Sequence, residues 1–118
     1  MGMTWTVIMC AEFATWYEKQ DRAVQKRLSA YLMHLSQLGP ALGRPLVDTL
    51  KTSRYGQLKE LRAQCQGRPW RILFAFDPLR RAVLLCGGDK TGNKRFYSIY
   101  IRLAEARFRR HLLALRSE

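Results

Sequence analysis

Residues 58–86 read LKELRAQCQGRPWRILFAFDPLRRAVLLC, and this stretch predicts the strands at the centre of the fold. Three runs rich in apolar residues are separated by turn-forming residues, a pattern typical of successive β-hairpins. In the first two runs apolar and polar side chains alternate, so each strand turns its polar residues toward one face of the sheet. Arg62 and Arg71 are therefore expected on the same face, beside Glu60. An ordinary cross-strand ion pair on a solvated face would explain this group equally well.

The segments before and after this stretch predict one further strand and three helices. Residues 4–9 are β-branched and aromatic, which favours a strand, and Asp21 and Gly39 are typical of the start and end of a helix. The predicted elements are strands at 4–9, 58–65, 70–76 and 82–86, helices at 12–19, 22–38 and 96–115, and a surface connection at 39–57. This order predicts a single α+β domain over residues 1–118, with an N-terminal strand, two helices, three antiparallel strands and a C-terminal helix.

The composition is that of a small soluble globular domain. The chain has 118 residues, of which 47% are hydrophobic, and its 21 Lys and Arg against 9 Asp and Glu give a net charge of +12. No window approaches the roughly 18 apolar residues of a membrane span, and the N-terminus lacks the basic leader of a secretory signal. Three widely spaced cysteines, Cys10, Cys65 and Cys86, are expected to be reduced thiols in a cytoplasmic protein.

The positive charge is concentrated in the second half of the chain. Residues 60–118 hold 13 basic and 5 acidic side chains, a balance that attracts polyanions. Because the basic residues are spread over strands, a loop and a helix, nucleic acid is favoured over a membrane surface as the partner. Many small basic proteins bind RNA without altering it, so the charge alone does not indicate catalysis.

Two well-known phosphate and metal motifs are incomplete here. Residues 87–94 contain the two glycines of a phosphate-binding loop, but Asn93 stands where that loop requires lysine. A metal-dependent nuclease needs several clustered carboxylates, and residues 54–110 hold only four, each among basic residues. The sequence therefore predicts neither a bound metal nor a cofactor.

The abundant candidate groups are cations and a phenol, namely Arg62, Arg71, Lys90, Lys94 and Tyr97. Such a set can cleave RNA, because the 2′-hydroxyl of RNA attacks the adjacent phosphorus and the protein need only align the atoms and stabilise a dianionic phosphorane. Guanidinium groups suit that charge, and a lysine or tyrosine with a lowered pKa can move the proton. The residues allow metal-free RNA cleavage without requiring it.

Several short segments, in the right order, carry a resemblance to a known family. They are Lys59–Arg62 (KELR), Arg71–Pro78 (RILFAFDP), Val83–Gly92 (VLLCGGDKTG), Phe96–Tyr97 and His111–Leu112, preceded by 43–45 (GRP) and 48–51 (DTLK). Together they resemble the phage-derived, HigB-like branch of the RelE/ParE toxin superfamily, over residues 4–116. The resemblance implies a RelE-like (microbial-RNase-like) fold and the toxin half of a bacterial type II toxin–antitoxin pair.

The resemblance also implies an activity, partners and site residues. The activity is an endoribonuclease that enters the ribosomal A site and cuts translated mRNA, and the partner is an antitoxin, typically a helix-turn-helix protein. Arg62 and Arg71 would bind phosphate and transition-state charge, Lys90 would share that role or the proton transfer, and Tyr97 would stack on a base or assist acid–base chemistry. The residues expected to contact RNA are Lys51, Arg54, Arg68, Lys94 and Arg95.

Two other functions stay compatible with the sequence. A ParE-like DNA gyrase poison would share the scaffold but act by binding an enzyme, and a basic RNA-binding module would need no catalytic group. The last helix also departs from the family pattern, because arginines follow where proline and acidic residues are common. These are Arg102, Arg107, Arg109 and Arg110. The sequence leaves open whether His111 or this basic helix takes part in catalysis.

Overall fold

The computed structural model describes residues 4–51, 53 and 57–117. The elements, in chain order, are β1 (Thr6–Met9), α1 (Ala11–Glu18), α2 (Arg22–Leu38), a 3₁₀ turn (Gly39–Ala41), β2 (Val47–Thr49), β3 (Lys59–Cys65), β4 (Arg68–Phe76), β5 (Arg81–Asp89) and α3 (Phe96–Arg116). The predicted α+β order is confirmed, with one strand more than expected. In this described part, no helix is both long and apolar enough to cross a membrane.

The strands form one sheet in the order β1-β5-β4-β3-β2. The pairs β2–β3, β3–β4 and β4–β5 are antiparallel, and β1 lies parallel to β5 at the edge. The β3–β4 register places Arg62 directly opposite Arg71, and the β4–β5 register places Gly88 opposite Arg71 on the other side. The alternation in the sequence therefore predicted β3 and β4 and the shared face of Arg62 and Arg71 correctly, and the apolar run predicted at 82–86 lies within β5.

Helices cover both faces of the sheet. The first core packs α1 and α2 against one face, through Phe13, Val24, Leu28, Leu35, Leu61, Ile72 and Phe74. The second packs α3 against the other face, through Leu73, Val83, Leu85, Phe96, Ala104 and Phe108. Each fully buried Leu or Phe contributes roughly 1.5–3 kcal/mol of hydrophobic free energy. Since α3 lies mainly against β5 and β4, its first turn comes next to the arginine pair.

Helix α2 begins and ends at the residues that the sequence predicted. Asp21 accepts a hydrogen bond from the backbone N–H of Val24 at 2.9 Å, which satisfies one of the free donors at the helix start. Gly39 follows the last turn with φ 53°, and a Cβ there would lie 2.3 Å from the ring of Trp5. Both a left-handed backbone and this close approach require glycine at the helix end.

The predicted surface connection at 39–57 is partly wrong, because it contains β2. This strand of three residues pairs with β3 through Val47 opposite Leu61 and Asp48 opposite Glu60. Three residues are too few to show an alternating pattern, and the surrounding glycines and prolines favour a loop. The strand exists because β3 offers it a pairing edge, and it brings Asp48 beside the polar face.

Candidate active site

A buried glutamate lies between two arginines on the face that carries α3. Arg62 Nε donates a hydrogen bond to Glu60 Oε1 at 2.9 Å, and Arg71 Nε lies 3.9 Å from Glu60 Oε2. Glu60 is only 3% exposed. The structure thus brings the three residues together as predicted, but a solvated ion pair does not describe them, because the carboxylate is out of water.

The second oxygen of Glu60 has an unusual environment. Oε2 is buried and accepts no hydrogen bond of good geometry from any residue that the structure describes. Leaving a buried acceptor without a partner costs about 1–3 kcal/mol, and more when the group is charged. Arg71 lies 3.9 Å from this oxygen and the Tyr97 phenol interacts with the same carboxylate, so Oε2 has charged and polar neighbours but no hydrogen bond of good geometry.

Arg62 is held by a second carboxylate from β2. Its Nη2 lies 3.3 Å from Asp48 Oδ2, which Arg44 Nη2 also approaches at 3.2 Å. The hydrogen bond to Glu60, followed by the charges of Glu60 and Asp48, raises the pKa of Arg62 above its ordinary value. The side chain of Arg62 is consequently fixed in position and permanently charged.

Arg71 is positioned mostly by neutral groups. Its Nη1 donates to the carbonyl of Trp70 at 3.0 Å, and its Nε donates to Tyr97 Oη at 3.4 Å. The opposing residue on β5 is Gly88, where a Cβ would lie 3.0 Å from the Tyr100 ring. The missing side chain lets the first turn of α3 approach the strand, which brings Tyr97 to Arg71.

Tyr97 and Lys90 complete the group. Lys90 Nζ lies over the Tyr97 ring, 5.3 Å from its centre, and the backbone N–H of Lys90 is tied to the Pro69 carbonyl at 2.8 Å. Burial, followed by the nearby Glu60 carboxylate, raises the pKa of Tyr97. The expectation of a lowered pKa is wrong for this tyrosine, since its surroundings keep the phenol protonated and able to donate.

A groove opens beside these residues. It has a volume of about 370 Å³ and is lined by Lys90, Gly92, Asn93, Lys94 and Tyr97. Two ammonium groups and one aromatic ring are a combination that suits a phosphate and a stacked base. Of the predicted RNA contacts, Lys94 therefore belongs to the same surface as Lys90 and Tyr97.

The other predicted RNA contacts are placed elsewhere. Lys51 is exposed next to β2, and Arg68 is exposed at the start of β4, where it pairs with Asp89 at 3.2 Å. Arg95 precedes α3 and lines a different depression from Lys94. Arg54 lies outside the described residues.

His111 lies in a separate cluster at the far end of β4. Its Nε2 is 2.8 Å from Asp77 Oδ2, and Asp77 follows Arg71 by six residues, roughly 20 Å along a strand. Burial alone would raise the pKa of Asp77, but hydrogen bonds from His111 and Arg81 outweigh it, and the pKa is lowered. This histidine anchors the helix to a turn and does not reach the arginine pair.

Sequence reasoning missed the importance of two carboxylates, Glu60 and Asp48. Glu60 precedes Arg62 by two residues in an alternating strand, and this spacing could have indicated that the two side chains are in contact. The sequence of β2 contains no pattern that could have placed Asp48 there. Within the described ranges, no three His, Cys, Asp or Glu side chains are close enough to share a metal ion. The groups that this face offers to a ligand are guanidinium and ammonium cations and a protonated phenol.

The chain is similar to known toxins over most of its length. Residues 15–109 match the family described as "Phage derived protein Gp49-like (DUF891)". "Putative toxin HigB2" of Mycobacterium tuberculosis is 44% identical over 101 residues, which cover 84% of this chain and 50% of that protein. "Putative toxin HigB3" of the same organism is 42% identical over 102 residues, which cover 86% of this chain and 88% of that protein. The chain thus spans about half the length of the first relative.

Two solved structures share the fold at low sequence identity. A mutant of the Escherichia coli toxin RelE in the free state gives a TM-score of 0.62 at 11% identity, covering 85% of this chain and 97% of that one. The archaeal RelE–RelB complex from Pyrococcus horikoshii gives 0.55 at 16% identity, covering 76% and 99%. The family match and the identity to the two HigB relatives show that the chain belongs to the phage-derived Gp49-like family, and its fold is RelE-like.

Proposed function

We propose that this chain is the toxin of a bacterial type II toxin–antitoxin pair and that it cuts mRNA on the ribosome without a metal ion. Its membership in the Gp49-like family and its identity to two putative HigB toxins support the first part. The observation that carries the second part is the pair of arginines on adjacent strands, held by a buried carboxylate beside a protonated tyrosine. The antitoxin partner, helix-turn-helix in type, and the cytoplasmic location follow from the same proposal.

The arginine pair supplies the electrostatic part of the reaction. The 2′-hydroxyl oxygen of one nucleotide attacks the adjacent phosphorus while its proton passes to water, and negative charge accumulates on the phosphorane. The bond to the 5′-oxygen then breaks, and that oxygen takes up a proton from Tyr97, which regains one from water. The nearest carboxylate oxygen to Arg71 is 3.9 Å away, so the charge of Arg71 is only partly neutralised and can attract that phosphate. Preorganised donors of this kind are commonly worth a hundredfold or more in rate.

Tyr97 and Lys90 supply the remaining groups. The phenol of Tyr97 accepts a hydrogen bond from Arg71 and keeps its own proton, which makes it the donor for the leaving 5′-oxygen. Lys90, over the Tyr97 ring, shares the phosphate charge or takes part in proton transfer. Lys94 holds the RNA backbone in the groove.

The test is cleavage of one transcript with and without translating ribosomes, with 5′ ends mapped by primer extension. We expect cuts within codons only in the translated sample, with 2′,3′-cyclic phosphate and 5′-hydroxyl ends. Arg71→Ala and Lys90→Ala should abolish the cuts. Arg22→Ala, which removes an exposed arginine of α2 on the opposite side of the sheet, should leave them unchanged.

Four outcomes would contradict the proposal. Equal cleavage of naked RNA would remove the ribosome from the mechanism, and 5′-phosphate ends would exclude attack by the 2′-hydroxyl. Intact mRNA together with DNA breaks and an SOS response in cells would point to a gyrase poison. RNA binding without any cleavage would leave the chain as a binding module.

A further inference from the structure

The outer face of α3 exposes apolar side chains that nothing in the described chain covers. Ile99, Leu103 and Leu113 are 45%, 39% and 52% exposed. They lie on the side of the helix opposite Ala104 and Phe108, which are buried against the sheet. A helix of a small domain usually turns such residues toward the core, so an exposed aliphatic set on one face indicates a contact surface.

The same face carries a regular row of arginines. They are Arg95, Arg102, Arg109 and Arg116, spaced by seven residues, and all are exposed. Seven residues of an α-helix span about 10.5 Å, so the row extends along the 21-residue helix. Among the described residues, none of the four forms an ion pair with a carboxylate. We call this row with Ile99, Leu103, Ala106 and Leu113 the outer face of α3.

The other charged residues of the helix are already engaged. Arg107 donates to the Leu85 carbonyl at 2.8 Å, and Arg110 forms two hydrogen bonds with Glu12 at 2.6 Å. Glu105, the single acidic residue in the α3 sequence, accepts a hydrogen bond from Ser53 at 2.9 Å. The four arginines of the outer face therefore have no carboxylate of their own helix available to balance them.

A depression in this face brings the two kinds of residue together. It has a volume of about 490 Å³ and is lined by Arg95, Ser98, Ile99, Arg102 and Leu103. Two aliphatic side chains form its apolar part, and two arginine side chains also line it. Such a site suits a ligand that presents an apolar side chain flanked by carboxylates.

Three kinds of occupant can be compared on these facts. A second copy of this chain would bring its own arginines against the row, and like charges across an interface repel each other. An RNA backbone would satisfy the arginines but would leave the aliphatic side chains without a favourable contact. An acidic amphipathic helix satisfies both, because its apolar stripe covers the exposed Ile and Leu while its Asp or Glu residues pair with the arginines.

We propose that the outer face of α3 is a docking surface for an acidic amphipathic helix of a partner protein. The surface is distinct from the candidate active site, whose Tyr97 belongs to the inward side of the same helix. Arginines and large aliphatic residues are the types that dominate binding at protein interfaces. The proposal does not rest on the ribonuclease activity, and it holds whether or not the chain cuts mRNA.

The experiment uses the full chain and a fluorescent peptide of 21 residues, with Leu at helical i, i+3, i+4 and i+7 spacing and Glu on both sides of that stripe. A peptide of the same composition in scrambled order is the control for charge alone. By fluorescence anisotropy, we expect the amphipathic peptide to bind about tenfold more tightly than the scrambled one. A 20-base-pair RNA duplex is measured in parallel.

Matched variants separate the contributions. Ile99→Ser with Leu103→Ser, and Arg102→Ala with Arg109→Ala, should each weaken binding of the amphipathic peptide about tenfold. Met33→Ser, at a 64% exposed position on α2, and Arg22→Ala with Lys26→Ala should change it less than about twofold. All substituted side chains are exposed, and circular dichroism confirms that each variant is folded.

Two results would overturn the proposal. Equal affinity for the amphipathic and scrambled peptides would show that only charge is recognised. Loss of RNA-duplex binding in the arginine variant, with no effect of the Ile99 and Leu103 substitutions on either ligand, would make the face a nucleic-acid surface instead. Neither result depends on whether the chain cleaves mRNA.

Discussion

Two buried carboxylates, Glu60 in β3 and Asp77 directly after β4, each contact an arginine but differ in how their oxygens are hydrogen-bonded. Asp77 accepts backbone hydrogen bonds from Leu79 and Arg81 at 3.0 Å, one from Arg81 Nε at 2.9 Å, and one from His111 at 2.8 Å. Glu60 receives one hydrogen bond of good geometry, from Arg62. The residue types are alike, but every oxygen of Asp77 is satisfied, whereas Glu60 keeps Oε2 without a partner among the described residues.

This difference separates a cluster that stabilises the fold from the cluster that we propose to be catalytic. A fully hydrogen-bonded carboxylate stabilises the fold, because its bonds offset the cost of removing the charge from water. For a carboxylate with one oxygen lacking a hydrogen bond, the cost of removing the charge from water is not fully offset. The Asp77 cluster connects the β4–β5 turn to α3. The Glu60 cluster holds Arg62 and Arg71 beside a groove, at some cost in the free energy of unfolding.

The largest effects on cleavage and on stability are expected from replacing one arginine in each cluster. Arg71→Lys keeps a cation beside the buried Glu60 but loses the guanidinium donor to the phosphate, so it should lower ribosome-dependent cleavage by about a hundredfold with little change in the urea midpoint. Arg81→Ala removes a partner of Asp77 and should do the reverse, lowering the free energy of unfolding by about 2 kcal/mol while the folded protein retains its activity. Cleavage rates and urea unfolding on both variants check this; parallel losses in both assays would remove the distinction.

Asp77→Asn should lower the free energy of unfolding by about 3 kcal/mol at neutral pH, because the buried arginine and histidine contacts lose their charged acceptor. The pKa of Asp77 is lowered in the folded protein, so its stabilising contribution is present above the unfolded pKa of about 4 and is lost as the pH falls through the folded pKa. Urea unfolding between pH 7 and pH 2 measures both quantities.

The acid limb of that series provides the control. Wild-type protein should lose stability below about pH 4 more steeply than Asp77→Asn, in which this carboxyl no longer titrates. Identical acid limbs for the two proteins would show that Asp77 does not contribute through its charge.

Glu60→Gln should change stability by less than about 1 kcal/mol, in contrast to Asp77→Asn. The amide oxygen still accepts from Arg62, and the loss of a poorly compensated buried charge offsets the loss of attraction to Arg71. Cleavage should fall about tenfold, since the two guanidinium groups are held less firmly. A loss of stability as large as that of Asp77→Asn would show that the free oxygen is not a sign of function.

The contrast between the clusters also shows how far the sequence alone could lead. Alternation in the central hairpins predicted that Arg62 and Arg71 share a face, because side-chain direction in a strand is a local property. The burial of Glu60 depends on how α3 and β2 pack over that face, and no local pattern records it. Lys94 and Arg95 are adjacent in sequence, yet Lys94 lines the groove beside Tyr97, whereas Arg95, directly before α3, lines the depression beside Ile99. The sequence alone could predict which side chains share a face of the sheet, but not which hydrogen bonds they form.

A further carboxylate–arginine contact, between Glu12 of α1 and Arg110 of α3, shows what such a pair contributes when it is exposed to solvent. Both oxygens of Glu12 accept hydrogen bonds at 2.6 Å, and Arg110 lowers the pKa of Glu12 to about 2. The two side chains are 38% and 56% exposed, so water and salt screen the attraction. Glu12→Gln should therefore cost less than about 1 kcal/mol, an effect that shrinks further in high salt. A double-mutant cycle with Arg110→Ala measures the coupling, and a value near that of the Asp77 contacts would mean that pairing of the oxygens matters more than burial.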